Sequence, residues 1–105
     1  MKQKGIIPLA VALVIGSSAA AFAETIEITM ENLVISPAVS SAKVGDTVEW
    51  VNKDVFEHTA TARGGDWDVN LPSKKSGTLV LKKAGTIDYY CRFHPNMKAT
   101  LTVAP

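Results

Sequence analysis

Apolar and polar residues alternate along several short stretches of this chain, and this alternation restricts the fold more than any other feature. In TIEITM (25–30) two isoleucines alternate with polar residues, and in TVEWVN (47–52) Val48 and Trp50 share one face. A period of two indicates a strand with one buried face, whereas an amphipathic helix needs a period near 3.6. The same reading predicts further strands over 78–81, 86–91 and 98–103.

The pattern between these strands favours an all-β fold. No ten-residue stretch after residue 24 has the apolar spacing of an amphipathic helix, and turns containing glycine, asparagine or proline separate the strands. We therefore expect an antiparallel sandwich or barrel of short strands. The longest stretch without a strand pattern, 63–77, is expected to be irregular.

The N-terminal segment has the pattern of a secretory signal. Two lysines precede an apolar stretch over 6–15, and AFA (21–23) resembles the small-residue motif at which such signals are cleaved. A retained membrane anchor is the alternative, but a proline and a glycine interrupt the apolar run before the roughly 20 residues that a spanning helix needs. We expect removal of residues 1–23 and export of one domain, residues 24–105, to the bacterial periplasm, with no stable membrane insertion of the mature chain.

The size and charge of this expected mature chain argue against some functional classes. It would keep 82 of the 105 residues, near the lower limit for a single stable core. One cysteine cannot form an internal disulfide, and a bound metal is the other common way to stabilise a small exported domain. Without the two lysines of the signal, nine basic residues face ten acidic ones, so we expect no nucleic-acid partner.

The residues with distinctive chemistry are concentrated in CRFHPNM (91–97). Cys91 is the single cysteine of the chain, and His94 and Met97 follow it at intervals of three. Taken singly, the cysteine would be a buried core residue, the histidine an exposed loop residue and the methionine a filler of a core gap. Together, just after a predicted strand, they can be directed by one tight loop towards a single point.

Thiolate, imidazole and thioether groups together favour copper. Two histidines and a cysteine with a weak axial methionine form the blue-copper electron-transfer site, whereas structural zinc sites use several cysteines or histidines and no methionine. The second histidine can only be His58, which follows the 47–52 strand and would otherwise be an ordinary polar residue. We therefore predict one type I copper ion, with four ligands: His58, Cys91, His94 and Met97.

These residues resemble the cupredoxins, the family of small type I copper proteins, in their amicyanin-like branch. The matching parts are VGDTVEWVN before His58, AGTIDYYC, and the Cys-x-x-His-x-x-Met loop with its short spacing between His94 and Met97. The resemblance spans residues 43–103 and implies an eight-stranded Greek-key β-sandwich, the cupredoxin fold, with copper at one end under the loops. Thr59 stands where many cupredoxins have asparagine.

The resemblance also implies a function. It implies a monomeric single-electron carrier, not an enzyme, that passes electrons between redox partner proteins such as a dehydrogenase and a cytochrome. His58 is expected to be buried, with its second ring nitrogen bonded to an acceptor, and His94 to reach the surface. Phe93, His94 and Pro95 would form the patch where partners dock and electrons enter.

Two other functional classes are considered. A copper oxidase or reductase needs additional histidines for further copper centres, and this chain has only two. A copper carrier or scavenger of the exported compartment would use similar ligands, but in an open site that is often rich in methionine. Intense visible colour is expected for the electron carrier only.

Overall fold

The structure is a computed structural model that describes residues 22–105. These residues form nine strands and no helix, and therefore contain no helix that could cross a membrane. The signal segment predicted over 1–23 lies almost entirely outside the described residues. The strands are β1 (Thr25–Glu31), β2 (Val34–Ser36), β3 (Val39–Lys43), β4 (Thr47–Asn52), β5 (His58–Ala62), β6 (Asp68–Leu71), β7 (Ser76–Val80), β8 (Gly85–Cys91) and β9 (His94–Ala104).

The nine strands form two sheets, which confirms the predicted all-β sandwich. One sheet has the order β2-β1-β4-β7, and the other has the order β3-β9-β8-β5-β6. Both sheets are mixed and not purely antiparallel as expected, because β1 pairs parallel to β4 and β3 pairs parallel to β9. Between β1 and β4 the chain crosses to the second sheet to form β3, so it returns to the first sheet in the same direction as β1.

The core lies between the sheets and is centred on an aromatic cluster. Trp50 of β4 and Tyr89 of β8 are fully buried, and the indole Nε1–H donates a hydrogen bond to the tyrosine hydroxyl at 3.2 Å. Trp67 contacts both rings, with centroids 5.4 Å from each. Burial raises the pKa of Tyr89 to about 12, so the hydroxyl stays neutral in the core. This bond joins the two sheets at the centre of the molecule.

Four of the five predicted strands agree with the structure within two residues at either end, and the last one differs. The strand over 47–52 is confirmed as predicted, and those over 25–30, 78–81 and 86–91 differ by one or two residues at an end. The last strand begins at His94 and not at residue 98, because the chain turns back immediately after Cys91. A ninth strand also exceeds the eight that the family resemblance implies.

The segment 63–77 was expected to be irregular, and this prediction is wrong. It contains β6 and the first residues of β7. Strand β6 pairs only with β5 and forms the edge of its sheet. The exposed polar residues Asp68 and Asn70 alternate with Trp67, Val69 and Leu71, a period of two that is typical of a strand, so a signal for β6 was present over a short stretch.

At Gly77, strand β7 of one sheet lies directly against β6 of the other. A Cβ atom at this position would lie 2.9 Å from methyl groups of Val69 and Leu71 in β6, and 3.3 Å from the carbonyl oxygen of Asn70. Those distances are shorter than van der Waals contact, so a side chain here would require the two methyl groups or the β7 backbone to shift. Glycine is therefore required here by packing.

Gly77→Ala is expected to lower the free energy of unfolding by about 1–3 kcal/mol, the usual cost of overpacking a core. Gly64→Ala is the matched control, because a Cβ atom at Gly64 has no neighbour within 4 Å. We expect the control to change stability by less than about 0.5 kcal/mol. Urea unfolding measures both; equal midpoints for the two variants would contradict this account of Gly77.

Candidate metal centre

Three of the four predicted ligands meet at one end of the sandwich. The sulfur of Cys91 lies 3.6 Å from Nδ1 of His58 and 3.7 Å from Nδ1 of His94. One ligand atom from each residue lies within 4.8 Å of the others, and the two imidazole rings are 5.1 Å apart at an angle of 76°. The three donor atoms therefore face a common point.

Each ligand lies at the end of a strand. His58 is the first residue of β5, Cys91 the last of β8 and His94 the first of β9. Strand β8 lies between β5 and β9 in the sheet, so the three strand ends are neighbours. The sheet thus brings together a histidine and a cysteine that are 33 residues apart in sequence.

The β8–β9 hairpin differs from the tight seven-residue loop that was expected. Cys91 pairs directly with His94, and only Arg92 and Phe93 lie between the strands. The register then shifts, because Tyr90 pairs with Lys98 while residues 95–97 of β9 have no partner on β8. Bulges of this kind redirect side chains and are common beside functional sites.

Met97, the predicted fourth ligand, follows this bulge. Its side chain is 3% exposed and belongs to the hydrophobic core, together with Cys91. Its role as the axial ligand stays a prediction.

Burial divides the three clustered ligands into an inner pair and an outer one. His58 and Cys91 are fully buried, whereas His94 is half-buried. Beside His94, Phe93 is 48% exposed, and Phe56 is 51% exposed with its ring centroid 5.9 Å from that of His94. The site is therefore closed on the core side and reaches the surface only beside His94.

A buried carboxylate orients His58. Its Nε2 lies 2.8 Å from Oδ2 of Asp54, while Nδ1 faces the sulfur of Cys91. Since a carboxylate accepts hydrogen bonds, Nε2 carries the proton and Nδ1 presents its lone pair to the centre. This is the tautomer that a metal ligand needs, and an outer partner of this kind commonly fixes a ligating histidine.

The same carboxylate anchors the β1–β2 turn. Its oxygens accept hydrogen bonds from the backbone N–H groups of Asn32 at 2.7 Å and Leu33 at 3.0 Å. Both turn residues have positive φ, 56° and 63°, as a two-residue type I′ hairpin requires. Burial alone would raise the pKa of Asp54, but its hydrogen bonds from His58 and the turn outweigh this and hold the pKa below its usual value.

A buried asparagine holds the segment that carries Asp54 and His58. The amide nitrogen of Asn52 donates to the carbonyl groups of Phe56 at 2.8 Å and Leu71 at 2.9 Å, and its oxygen accepts from the backbone N–H of Asp54 at 2.8 Å. Because Asn52 is 1% exposed, these bonds are protected from water. The loop from β4 to β5 is thereby fixed at both ends.

Thr59 connects the two parts of the site. Its buried hydroxyl accepts a hydrogen bond at 2.9 Å from the backbone N–H of Arg92, in the turn between Cys91 and His94. The guanidinium of Arg92 in turn donates to Asp68 at 3.2 Å and Asn70 at 3.3 Å on β6. The hydrogen bond from Arg92 to Thr59 therefore fixes the position of β5, which carries His58, relative to the hairpin that carries Cys91 and His94.

Sequence reasoning placed His58 in the interior with an acceptor on its second nitrogen, and the structure confirms both expectations. It did not identify Asp54, Asn52 or Thr59 as supporting residues. An acidic residue four positions before a candidate histidine was the available signal for Asp54. The contacts of Asn52 and Thr59 depend on long-range pairing and leave no local pattern.

The three clustered donor atoms can be compared with the usual ligands of copper and zinc sites. Two imidazole nitrogens and one thiolate sulfur, all within 4.8 Å, match three ligands of a trigonal copper site. The residues therefore suit copper, and they suit zinc less well because structural zinc sites usually have four strong ligands from cysteine and histidine.

Comparison with known proteins assigns the family. The chain belongs to the family described as the cupredoxin-like domain, whose sequence profile matches residues 5–103. It is 34% identical over 67 residues to the amicyanin of Paracoccus denitrificans, covering 58% of this chain and 51% of that protein. It is 24% identical over 87 residues to the amicyanin of Paracoccus versutus, covering 77% and 66%. The matched regions thus span about half to two thirds of these relatives.

Solved structures agree with this assignment. The crystal structure of the amicyanin from Paracoccus versutus superimposes with a TM-score of 0.66 and 26% identity, over 82% of this chain and 87% of that one. A Cu(I) structure of an amicyanin mutant gives a TM-score of 0.65 and 26% identity, over 75% and 81%. The chain is therefore an amicyanin-like cupredoxin by sequence and by fold.

Asp54→Ala is expected to destabilise the protein by about 1–3 kcal/mol, because it leaves the buried His58 N–H and two turn N–H groups without their acceptor. Asp66→Ala is the control, since Asp66 is 42% exposed and its ion pair is with the exposed Lys83, at 3.5 Å. Urea unfolding measures both variants.

Nitrogen-15 NMR should also show the Nε2–H tautomer of His58 in the unsubstituted protein; the Nδ1–H tautomer would contradict the hydrogen bond from Nε2 to Asp54.

Proposed function

We propose that this protein is a single-electron carrier that binds one type I copper ion through His58, Cys91, His94 and Met97. The observation that supports this most directly is the position of the only cysteine, whose sulfur lies within 3.7 Å of Nδ1 of both histidines. When bound, copper supplies one-electron chemistry by alternating between Cu(I) and Cu(II). Every other part of the proposal concerns what the protein does around that ion.

The protein holds the ligands in one arrangement. Cys91 binds as a thiolate, with its proton released on metal binding. His58 is fixed by Asp54, and the hairpin ligands are fixed by the Thr59–Arg92 bond and the strand pairing. Because the frame is set by buried hydrogen bonds, little rearrangement of the protein is needed when the electron arrives or leaves.

The docking patch lies where the site approaches the surface. The predicted patch consists of Phe93, His94 and Pro95, and the exposed ring of Phe56, 5.9 Å from that of His94, supports extending it to this residue. A partner would dock there by apolar contact around His94, with the buried side of the site shielded from water. We propose redox proteins, a dehydrogenase or a cytochrome, as donor and acceptor, and a monomeric carrier between them.

The residues argue against an enzyme and against an exchangeable copper carrier. Both histidines of the chain are already in the site, so no imidazole is left for a substrate-binding copper. Two of the three clustered ligands are fully buried, which is unsuited to rapid transfer of the metal to another protein. We therefore favour electron transfer without catalysis.

We also propose that residues 1–23 are a secretory signal and that residues 24–105 act in the bacterial periplasm. Support comes from the sequence pattern of the segment and from strand β1 beginning immediately after it, at Thr25. Intact mass of the protein recovered from the periplasmic fraction tests both points. A mass that retains the segment, or absence from that fraction, would contradict export.

The absorption spectrum tests the copper assignment. Cys91→Ser is expected to abolish the intense blue absorption, and His58→Ala and His94→Ala to weaken it, because these are the three strong ligands. A Cys91→Ser protein that stays blue would refute the assignment.

Met97→Leu is expected to keep the colour and raise the reduction potential, since it removes only a weak axial ligand. Met30→Leu is the matched control, because Met30 is also a buried core methionine but lies on β1 outside the ligand cluster. Voltammetry of both variants measures the effect. A raised potential in Met30→Leu with none in Met97→Leu would show that Met97 is not the axial ligand.

A further inference from the structure

Glu24 is the residue at which the chain becomes fixed to the fold. Its backbone N–H donates to Oδ1 of Asp46 at 2.9 Å, and its carbonyl accepts from the N–H of Thr47 at 2.9 Å. The two residues before it, Phe22 and Ala23, are exposed, and Phe22 is 76% exposed. The Ala23–Glu24 peptide bond therefore marks the boundary between exposed residues on its carbonyl side and a nitrogen that the fold holds.

The acceptor of this bond is a buried carboxylate surrounded by donors. Asp46 is 2% exposed. Its Oδ1 accepts from the N–H of Glu24 and, at 3.0 Å, from the ammonium of Lys43, and its Oδ2 accepts from the backbone N–H of Lys43 at 3.0 Å. The hydrogen bonds from Glu24 and Lys43 hold the pKa of Asp46 below its usual value, so it is ionised at neutral pH.

We propose that Asp46 is the receptor for the α-ammonium group that forms when the Ala23–Glu24 bond is hydrolysed. A peptidase adds water across this bond: the C–N bond breaks, Ala23 leaves with a carboxylate, and the Glu24 nitrogen becomes an amine that takes up a proton. The inference rests on the proposed removal of residues 1–23. It adds that this cut completes a buried ion pair and so stabilises the mature domain.

The geometry is specific to this bond. After the cut, the nitrogen 2.9 Å from Asp46 carries a full positive charge and three protons instead of one amide N–H. The amide bond to the ionised carboxylate is already charge-assisted, and the cut adds the Coulombic attraction between a full positive charge and the carboxylate. A cut one residue earlier would place the charge on exposed Ala23, and a cut one residue later would remove both bonds of Glu24. Only the Ala23–Glu24 cut pairs the new charge with the buried carboxylate.

Other charged groups lie on the elements packed against this pair, among them the carboxylate of Pro105, which follows the Ala104 that pairs with Lys43. Lys43 shares Oδ1 with Glu24, and the side chain of Glu24 itself is exposed. On the β7 side, the N–H of Leu81 donates to the carbonyl of Asp46, and Lys82 follows it in the chain. The Lys43 ammonium partly offsets the carboxylate charge, whereas the exposed glutamate adds to it.

The pH dependence follows from the signs of the two shifts. An α-amino group paired with a carboxylate has a folded-state pKa above its unfolded value of about 8, so its stabilisation is present below pH ~8 and lost as the pH rises through the folded pKa. The pKa of Asp46 is lowered from 3.8, so its stabilisation is lost as the pH falls below that value. The ion pair therefore contributes between these two limits.

The test uses the full chain, exported, processed and purified with its metal. Intact mass should show a chain that begins at Glu24, and nitrogen-15 NMR of the unmodified amine should give an α-amino pKa at least about one unit above 8. In Asp46→Asn, which keeps an acceptor oxygen of the same shape, this pKa should return to about 8. In Glu24→Gln, the control that removes only the exposed carboxylate of the same residue, it should stay high.

Stability gives an independent measurement. For a one-unit shift, the folding equilibrium constant of the unsubstituted protein should fall about tenfold more than that of Asp46→Asn between pH 7 and pH 10. If Asp46→Asn does not fold, the α-amino pKa of the unsubstituted protein decides alone. A chain that begins at Glu24 with a pKa near 8 would overturn the receptor role while leaving export intact. A chain that begins elsewhere would overturn the inference without affecting the electron-carrier proposal.

Discussion

The hydrogen bond between Asp54 and His58 is the interaction on which most of the site depends. It fixes the tautomer of a buried imidazole, and the same carboxylate closes the β1–β2 turn through two backbone N–H groups. Asn52 fixes the backbone on which Asp54 is carried. Loss of the Asp54 carboxylate would therefore leave both His58 and the turn without their acceptor, and its several hydrogen bonds explain why a buried charge is tolerated here.

The two halves of the site are assembled in different ways. Cys91 and His94 are brought together locally, by a hairpin with two residues between its paired ends. His58 arrives from a distant part of the chain and meets them only if β5 pairs correctly with β8. The bond from Arg92 to Thr59 joins the two halves directly, so the position of the thiol depends on strand order as well as on the hairpin.

The sequence indicated the strands and ligands that have a local signature. Val48 and Trp50 alternate with less buried residues, so β4 was predicted to the residue. Strand β6 was missed although Val69 and Leu71 alternate with Asp68 and Asn70, because the alternation covers only four residues at a sheet edge. His58 could be identified by elimination, since the chain has only two histidines. Asn52 and Thr59 could not, because their partners are defined only by the folded arrangement of strands that are far apart in sequence.

The four edge strands of the described sheets have a consequence for how this protein meets others. Strands β2, β3, β6 and β7 are three to five residues long, whereas β1, β8 and β9 in the sheet interiors have seven, seven and eleven. A short edge offers few unpaired backbone groups to an incoming strand, so two copies gain little by joining their sheets. The exposed aromatic rings beside His94 therefore belong to a protein whose sheet edges offer little for the addition of a further strand.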